Sequence, residues 1–76
     1  MPPSDIDFAE ALGEITWLHG REAGRFSKWE AKFIHDMELD YRFLMRDLTY
    51  EQQQKIIEIH RKVSRRLDEL LRGGSR

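Results

Sequence analysis

The sequence has no cysteine, and that absence removes disulfide bridges, thiolate zinc sites and cysteine nucleophiles together. It has no apolar run near the ~20 residues of a membrane-spanning helix. Its opening Met1-Pro2-Pro3-Ser4-Asp5 lacks the basic, then apolar, start of a secretory signal. A cytoplasmic protein with no membrane partner is expected. No internal repeat or low-complexity segment breaks the 76 residues, a length that suits one domain. Such a domain buries only ~60–65% of the surface its unfolded chain exposes, so its stability depends on good packing or on a partner.

Catalytic and ligand-binding signatures are missing as well. Gly20, Gly24, Arg25 and Ser27 invite comparison with a phosphate-cradling loop. That loop needs four residues between its glycines, then Lys and Ser/Thr directly, with a strand in front. Here three residues separate the glycines, Phe26 intervenes and the preceding segment reads as helix. His19, His35 and His60 belong to no H-E-x-x-H and to no Glu-x-x-His pair. Asp36, Glu38 and Asp40 alternate as calcium ligands do, but they diverge on a helix, and the glycine and terminal Glu of an EF-hand loop are missing. The expectation is a protein that is not an enzyme, with no metal site, no cofactor and no small-molecule substrate.

What the chain does have is helical periodicity. From Thr49 to Arg72, positions Ile56, Ile59, His60, Val63, Leu67, Leu70 and Leu71 fall on one side of a helix, with Ile57 at its edge. Thr49 followed by Gln52 is a capping box, and Gly73-Gly74 supplies the stop. Ser27 with Glu30 is a second capping box, opening a helix whose main stripe is Phe26, Trp29, Phe33, Met37, Tyr41, Leu44 and Leu48, widened by Ile34 and Met45. Ser4 is a candidate cap for a first helix bearing Phe8, Ala11, Leu12, Ile15 and Leu18. Gly13 lies inside that helix, where glycine costs ~1 kcal/mol relative to alanine.

These signals give an all-α, single-domain fold of three helices, a short N-terminal helix plus a long antiparallel helical hairpin. The expected limits are helix 1 at about 5–19, a linker at 20–27, helix 2 at about 28–46, helix 3 at about 50–72 and a flexible tail at 73–76. The short link Arg46-Asp47-Leu48 makes helices 2 and 3 antiparallel, with the stripe of helix 2 as their seam.

Two surfaces stand out. Leu39 and Phe43 point away from the main stripe of helix 2, so that helix has a second apolar face, to be covered by helix 1 or by another chain. Trp17 lies on the polar side of helix 1, in line with Glu10 and Glu14, where it folds over the loop, meets Trp29 or serves as an anchor. Together these residues mark a protein-interaction surface, for another protein or for a second copy. The alternative is nucleic acid: Arg61, Lys62, Arg65, Arg66 and Arg72 give helix 3 a basic outer face. Acidic residues interrupt it, and Glu51–Lys55, Glu58–Lys62 and Asp68–Arg72 are all spaced for pairing within the helix. Charge is also polarised along the chain. Up to Gly20 every charged residue is acidic, whereas from Leu48 onward seven basic residues face four acids, so the two ends should attract.

The segments Trp29-Glu30-x-x-Phe33-Ile34 and Leu48-Thr49-x-x-Gln52-x-x-Lys55-Ile56 resemble a helical hairpin pattern of small accessory proteins from phages and other mobile elements. The resemblance covers about half the chain, which departs from it by its additional N-terminal helix. It implies a non-enzymatic accessory role near DNA metabolism or host takeover and identifies no functional residues.

Overall fold

The computed structural model describes residues 7–71. The expected cap at Ser4, the tail at 73–76 and Arg72 lie outside the described residues. Within them the fold is all-α: α1 (Phe8–Arg21), α2 (Lys28–Glu38) and α3 (Tyr50–Leu71), with a 3-10 turn at Ala23–Arg25 and a π-helical turn at Leu39–Phe43. No helix among the described residues is long and apolar enough to cross a membrane.

Both internal capping boxes form. The Glu30 amide donates to Ser27 Oγ at 3.1 Å while the Ser27 amide donates to Glu30 Oε1 at 2.9 Å. Thr49 and Gln52 repeat the exchange at the same two distances. Each box satisfies two amides that the first turn of a helix leaves without partners, which is why both starts fall where the sequence puts them. The first helix differs. Asp7, in extended conformation, stands at its cap with no side-chain bond, and its carbonyl accepts from the Ala11 amide at 2.9 Å. At the other end α1 runs through Gly20 to Arg21, because the Glu22 amide still reaches the Leu18 carbonyl at 2.7 Å.

The helices are placed by their cross-pairs. Glu14 meets His60 and Glu22 meets Arg66, so positions ascend together and α1 runs in the same direction as α3. Phe8 packs edge-on against Tyr41 and His19 against Phe26, so α1 and α2 are antiparallel. The most extensive packing is between α1 and α3, and α2 touches α3 least. The ion pair of Arg66 with Glu22 links α3 to the residue that follows α1, just beyond the acidic stretch that ends at Gly20. Ala11, Leu12, Ile15 and Leu18 of α1 are completely buried against Ile34 and Met37 of α2, Ile56, Ile59, Val63 and Leu67 of α3, and Phe26 and Leu48 at the connections.

That placement changes the expected seam of helix 2. Ile34 and Met37 enter the core, Phe33 and Tyr41 are only partly buried, and Trp29, Leu44 and Met45 are exposed. The reason is that α1, rather than α3, supplies most of what α2 packs against. On α3 the stripe holds from Ile56 to Leu67, but Leu71 is exposed.

Candidate protein-interaction surface

Helix 2 was expected to continue to about residue 46, and its regular turns end at Glu38. From Leu39 the backbone widens: the Leu44 amide donates to the Leu39 carbonyl five residues back at 2.9 Å, and the Arg46 amide to the Asp40 carbonyl at 2.8 Å. Between them Met45 takes a left-handed conformation (φ 56°), the place a glycine usually fills at a helix C-terminus. For an L-residue this costs roughly 1–2 kcal/mol. π-turns and left-handed residues other than glycine are uncommon, and they concentrate at functional positions.

Around this turn several large apolar side chains are left uncovered. Exposed fractions are 43% for Leu39, 72% for Phe43, 49% for Leu44, 84% for Met45 and 73% for Tyr50 at the start of α3. Leu39 and Phe43 are thus brought to one surface, and α1 leaves it open. Sequence reading missed Leu44, Met45 and Tyr50 by giving the first two to the seam. The consecutive run Phe43-Leu44-Met45 carried the signal, because three successive residues of a helix spread over ~200° and cannot share one buried face.

Trp17 is also exposed, at 39%, with the Arg21 guanidinium 5.0 Å from its ring centroid. It does not join these residues. With Phe8 opposite Tyr41 and His19 opposite Phe26, Trp17 lies toward the far end of α2 from Leu39 and Phe43. Trp29 stacks on Phe33 at 5.2 Å and receives Lys55 over its face at 5.3 Å.

The basic residues of α3 are largely engaged within the fold. Lys62 reaches Glu30 of α2 at 2.7 and 2.9 Å, in place of Glu58. Lys55 bonds Glu58 at 2.6 Å, in place of Glu51. Side chains choose these partners because α2 brings a preorganised carboxylate, already held by the Ser27 amide, within reach of Lys62. Arg66 grips both oxygens of Glu22, with its Nη2 at 2.6 Å and Nε at 3.0 Å, and reaches Glu69 at 3.1 Å. The Glu22 carboxyl also accepts from Arg25. The Arg66 bond, then the Arg25 bond, lowers the Glu22 pKa to about 2, and Glu22 followed by Glu69 raises that of Arg66. Lys62 likewise lowers Glu30, helped by the Ser27 amide, and Lys55 lowers Glu58. Arg61 and Arg65 remain exposed.

His60 Nε2 lies 2.7 Å from Glu14 Oε1, both side chains mostly buried, so this histidine of the α3 stripe is hydrogen-bonded within the fold. Among the described residues, no group of three His, Asp or Glu side chains converges to hold a metal ion.

Among the described residues, then, the chain is a small all-α fold of three α-helices with an uncovered apolar turn after the second. No protein-family model matches the chain, and no curated protein or solved structure is found to be similar to it.

Proposed function

We propose that this chain is a small non-enzymatic protein-binding or regulatory module, of the kind phages and mobile elements encode, acting through its apolar turn on a host protein or on itself. The observation that carries the reading is the exposure of Leu39, Phe43, Leu44 and Met45 on one turn held in unfavourable backbone geometry. Large apolar side chains exposed close together in a chain are kept where something binds, and Phe and Met are enriched at the centres of interfaces. Trp17 stands apart and serves at most as a separate contact.

The test is the pair Leu39→Ser and Phe43→Ser, compared with wild type for helical content, binding of an apolar reporter dye and capture of a protein partner. Loss of dye binding and capture with helicity kept supports the reading. A double variant that binds as wild type does removes this surface from the function.

A second reading, nucleic-acid binding on α3, is favoured by a depression lined by Arg25, Lys62, Arg65 and Arg66, with Val63 and the acidic Glu69 beside them. Magnitude ranks it lower. With Lys62 and Arg66 committed to Glu30 and Glu22, Arg61 and Arg65 are left of that face among the described residues and release about two counterions. Affinity would then fall only about tenfold between 50 and 200 mM salt, far below the steep loss that accompanies 6–10 phosphate contacts. A steep salt dependence abolished by Arg61→Glu with Arg65→Glu would reverse that ranking.

A further inference from the structure

We infer that the link between α2 and α3 is a hinge through which two copies of this chain exchange α3. The hairpin opens at residues 39–49 into one continuous helix, and the α3 of each copy then lies on the α1 of the other. The inference goes beyond the protein-binding reading and does not depend on it. Three observations carry it.

The first is phase. Ile34 and Met37 of α2 are followed at steps of three or four residues by Tyr41, Leu44, Leu48 and Gln52, and these lead without a slip into the α3 stripe from Ile56 through Leu67 to Leu70. The steps average about 3.6 residues, the period of an α-helix. A hairpin has no need of this agreement, because its link resets the direction in which the second helix faces. Phase kept through the link gives the straightened helix a single apolar side. It also brings Leu44, 49% exposed in the hairpin, into line with Met37 and Leu48.

The second is the chemistry of the link. No glycine or proline stands between Gly24 and Gly73, so no helix breaker stands in the way of a continuous helix. The hairpin is made instead with the π-turn at Leu39–Phe43 and with Met45 at φ 56°, where the Cβ of an L-residue crowds the following carbonyl oxygen. Straightening relieves that crowding in both copies. The capping box of Thr49 and Gln52 acts the other way, holding the break in place. The two features oppose each other within about one helical turn, so substitutions at either shift the balance.

The third is what the exchange conserves. Glu14 with His60, Glu22 with Arg66 and Glu30 with Lys62 all join α3 to residues that precede the hinge. So does the packing of α1 on α3, the most extensive in the fold. Each of these contacts re-forms with the α3 of the other copy, and only the link changes. A short connection under strain between elements that pack in this way favours such an exchange.

The experiment is refolding from urea at about 1 μM and at about 1 mM chain, followed by sedimentation and by carbodiimide coupling of Lys62 to Glu30. Those groups stand 2.7 Å apart, so the reagent joins them as an amide within one chain in the hairpin and between two chains after exchange. Heavy and light isotopic chains mixed before refolding tell the two links apart by mass. Wild type is expected to be a monomer at the lower concentration and, at the upper one, a dimer with its Glu30–Lys62 links between chains. Met45→Ala with Thr49→Ala favours the helix and removes the cap, and should raise the dimer association constant about tenfold or more. Met45→Gly relieves the hairpin and weakens the straightened helix in both copies, and should lower that constant roughly a hundredfold or more.

A wild-type chain that is wholly monomeric after refolding at about 1 mM overturns the inference. A dimer whose Glu30–Lys62 links stay within single chains overturns it too, by showing copies joined through their surfaces; the protein-binding reading would still stand on its own test at Leu39 and Phe43. Should Met45→Ala with Thr49→Ala lose its helical signal, wild type against Met45→Gly decides alone, and equal dimer yields from those two would remove the hinge.

Discussion

Ile15→Ala should destabilise the fold by about 2–5 kcal/mol, and Trp17→Ala, two residues along the same helix, by about 1. Ile15 is completely buried on the α1 face that meets both other helices. The substitution removes three carbons, worth ~2.4 kcal/mol of transfer at ~0.8 kcal/mol each, and the cavity left behind raises the cost toward the upper figure where neighbours cannot close in. For a domain of this length total stability is roughly 3–10 kcal/mol, so one side chain holds a large share of it. Trp17 is the larger residue, but it is exposed and its ring packs under Arg21, a contact worth ~0.5–1 kcal/mol at an exposed site. Urea unfolding followed by helical circular dichroism would measure both, at one fixed chain concentration. Since α1 touches both α2 and α3, Ile15→Ala should lower the midpoint of the whole transition without splitting it. A cost below about 1 kcal/mol for Ile15→Ala, or a larger cost for Trp17→Ala, would refute the placement of α1 at the centre of the core.

Gly13→Ala should stabilise the fold by about 0.5–1 kcal/mol, because alanine is the better helix former and a methyl there meets nothing nearer than Arg42 Nη1 at 4.0 Å; a lower thermal midpoint would show a crowding that the structure lacks. Met45→Gly should raise monomer stability by up to about 1 kcal/mol by removing left-handed strain, less what the freer unfolded chain takes back. An unchanged or lowered midpoint on urea unfolding would show that the left-handed residue carries no such cost. Glu22 has its pKa lowered from 4.5 to about 2 by Arg66 and Arg25. A depressed carboxyl stabilises the fold above its unfolded pKa and loses that contribution as the pH falls through the folded one. The wild-type advantage over Glu22→Gln should therefore be full above pH 4.5 and shrink toward pH 2; an advantage independent of pH across that window would mean that the Glu22–Arg66 pair does not couple to folding.

The fold class and the two inner helix starts were legible because their causes are local. Ser27 with Glu30, and Thr49 with Gln52, close their rings within four residues. The stripe Ile56–Ile59–Val63–Leu67 repeats at helical spacing whatever it packs against. Leu39 and Phe43 were legible too, since their direction relative to Met37 follows from the helix period alone.

The rest depended on contacts between distant parts of the chain. Helix 2 carries apolar residues on more than one side, and periodicity does not say which side is buried. The choice of Ile34 and Met37 over Trp29 and Leu44 was made when α1 came to lie against α2. Spacing offered Lys62 the nearby Glu58, but Glu30, 32 residues away, arrived already held by its cap. The widened turn at Leu39–Phe43 and the left-handed Met45 follow from the need to end α2 and bring Leu48 back into the core before α3 begins. By itself, then, the sequence determined the helical class, the two inner caps and the apolar stripe of α3 from Ile56 to Leu67, because hydrogen bonds and periodicity act over a few residues. Only tertiary packing decided which faces are buried, which charges pair and which side chains are left uncovered, because those outcomes depend on what each helix meets after folding.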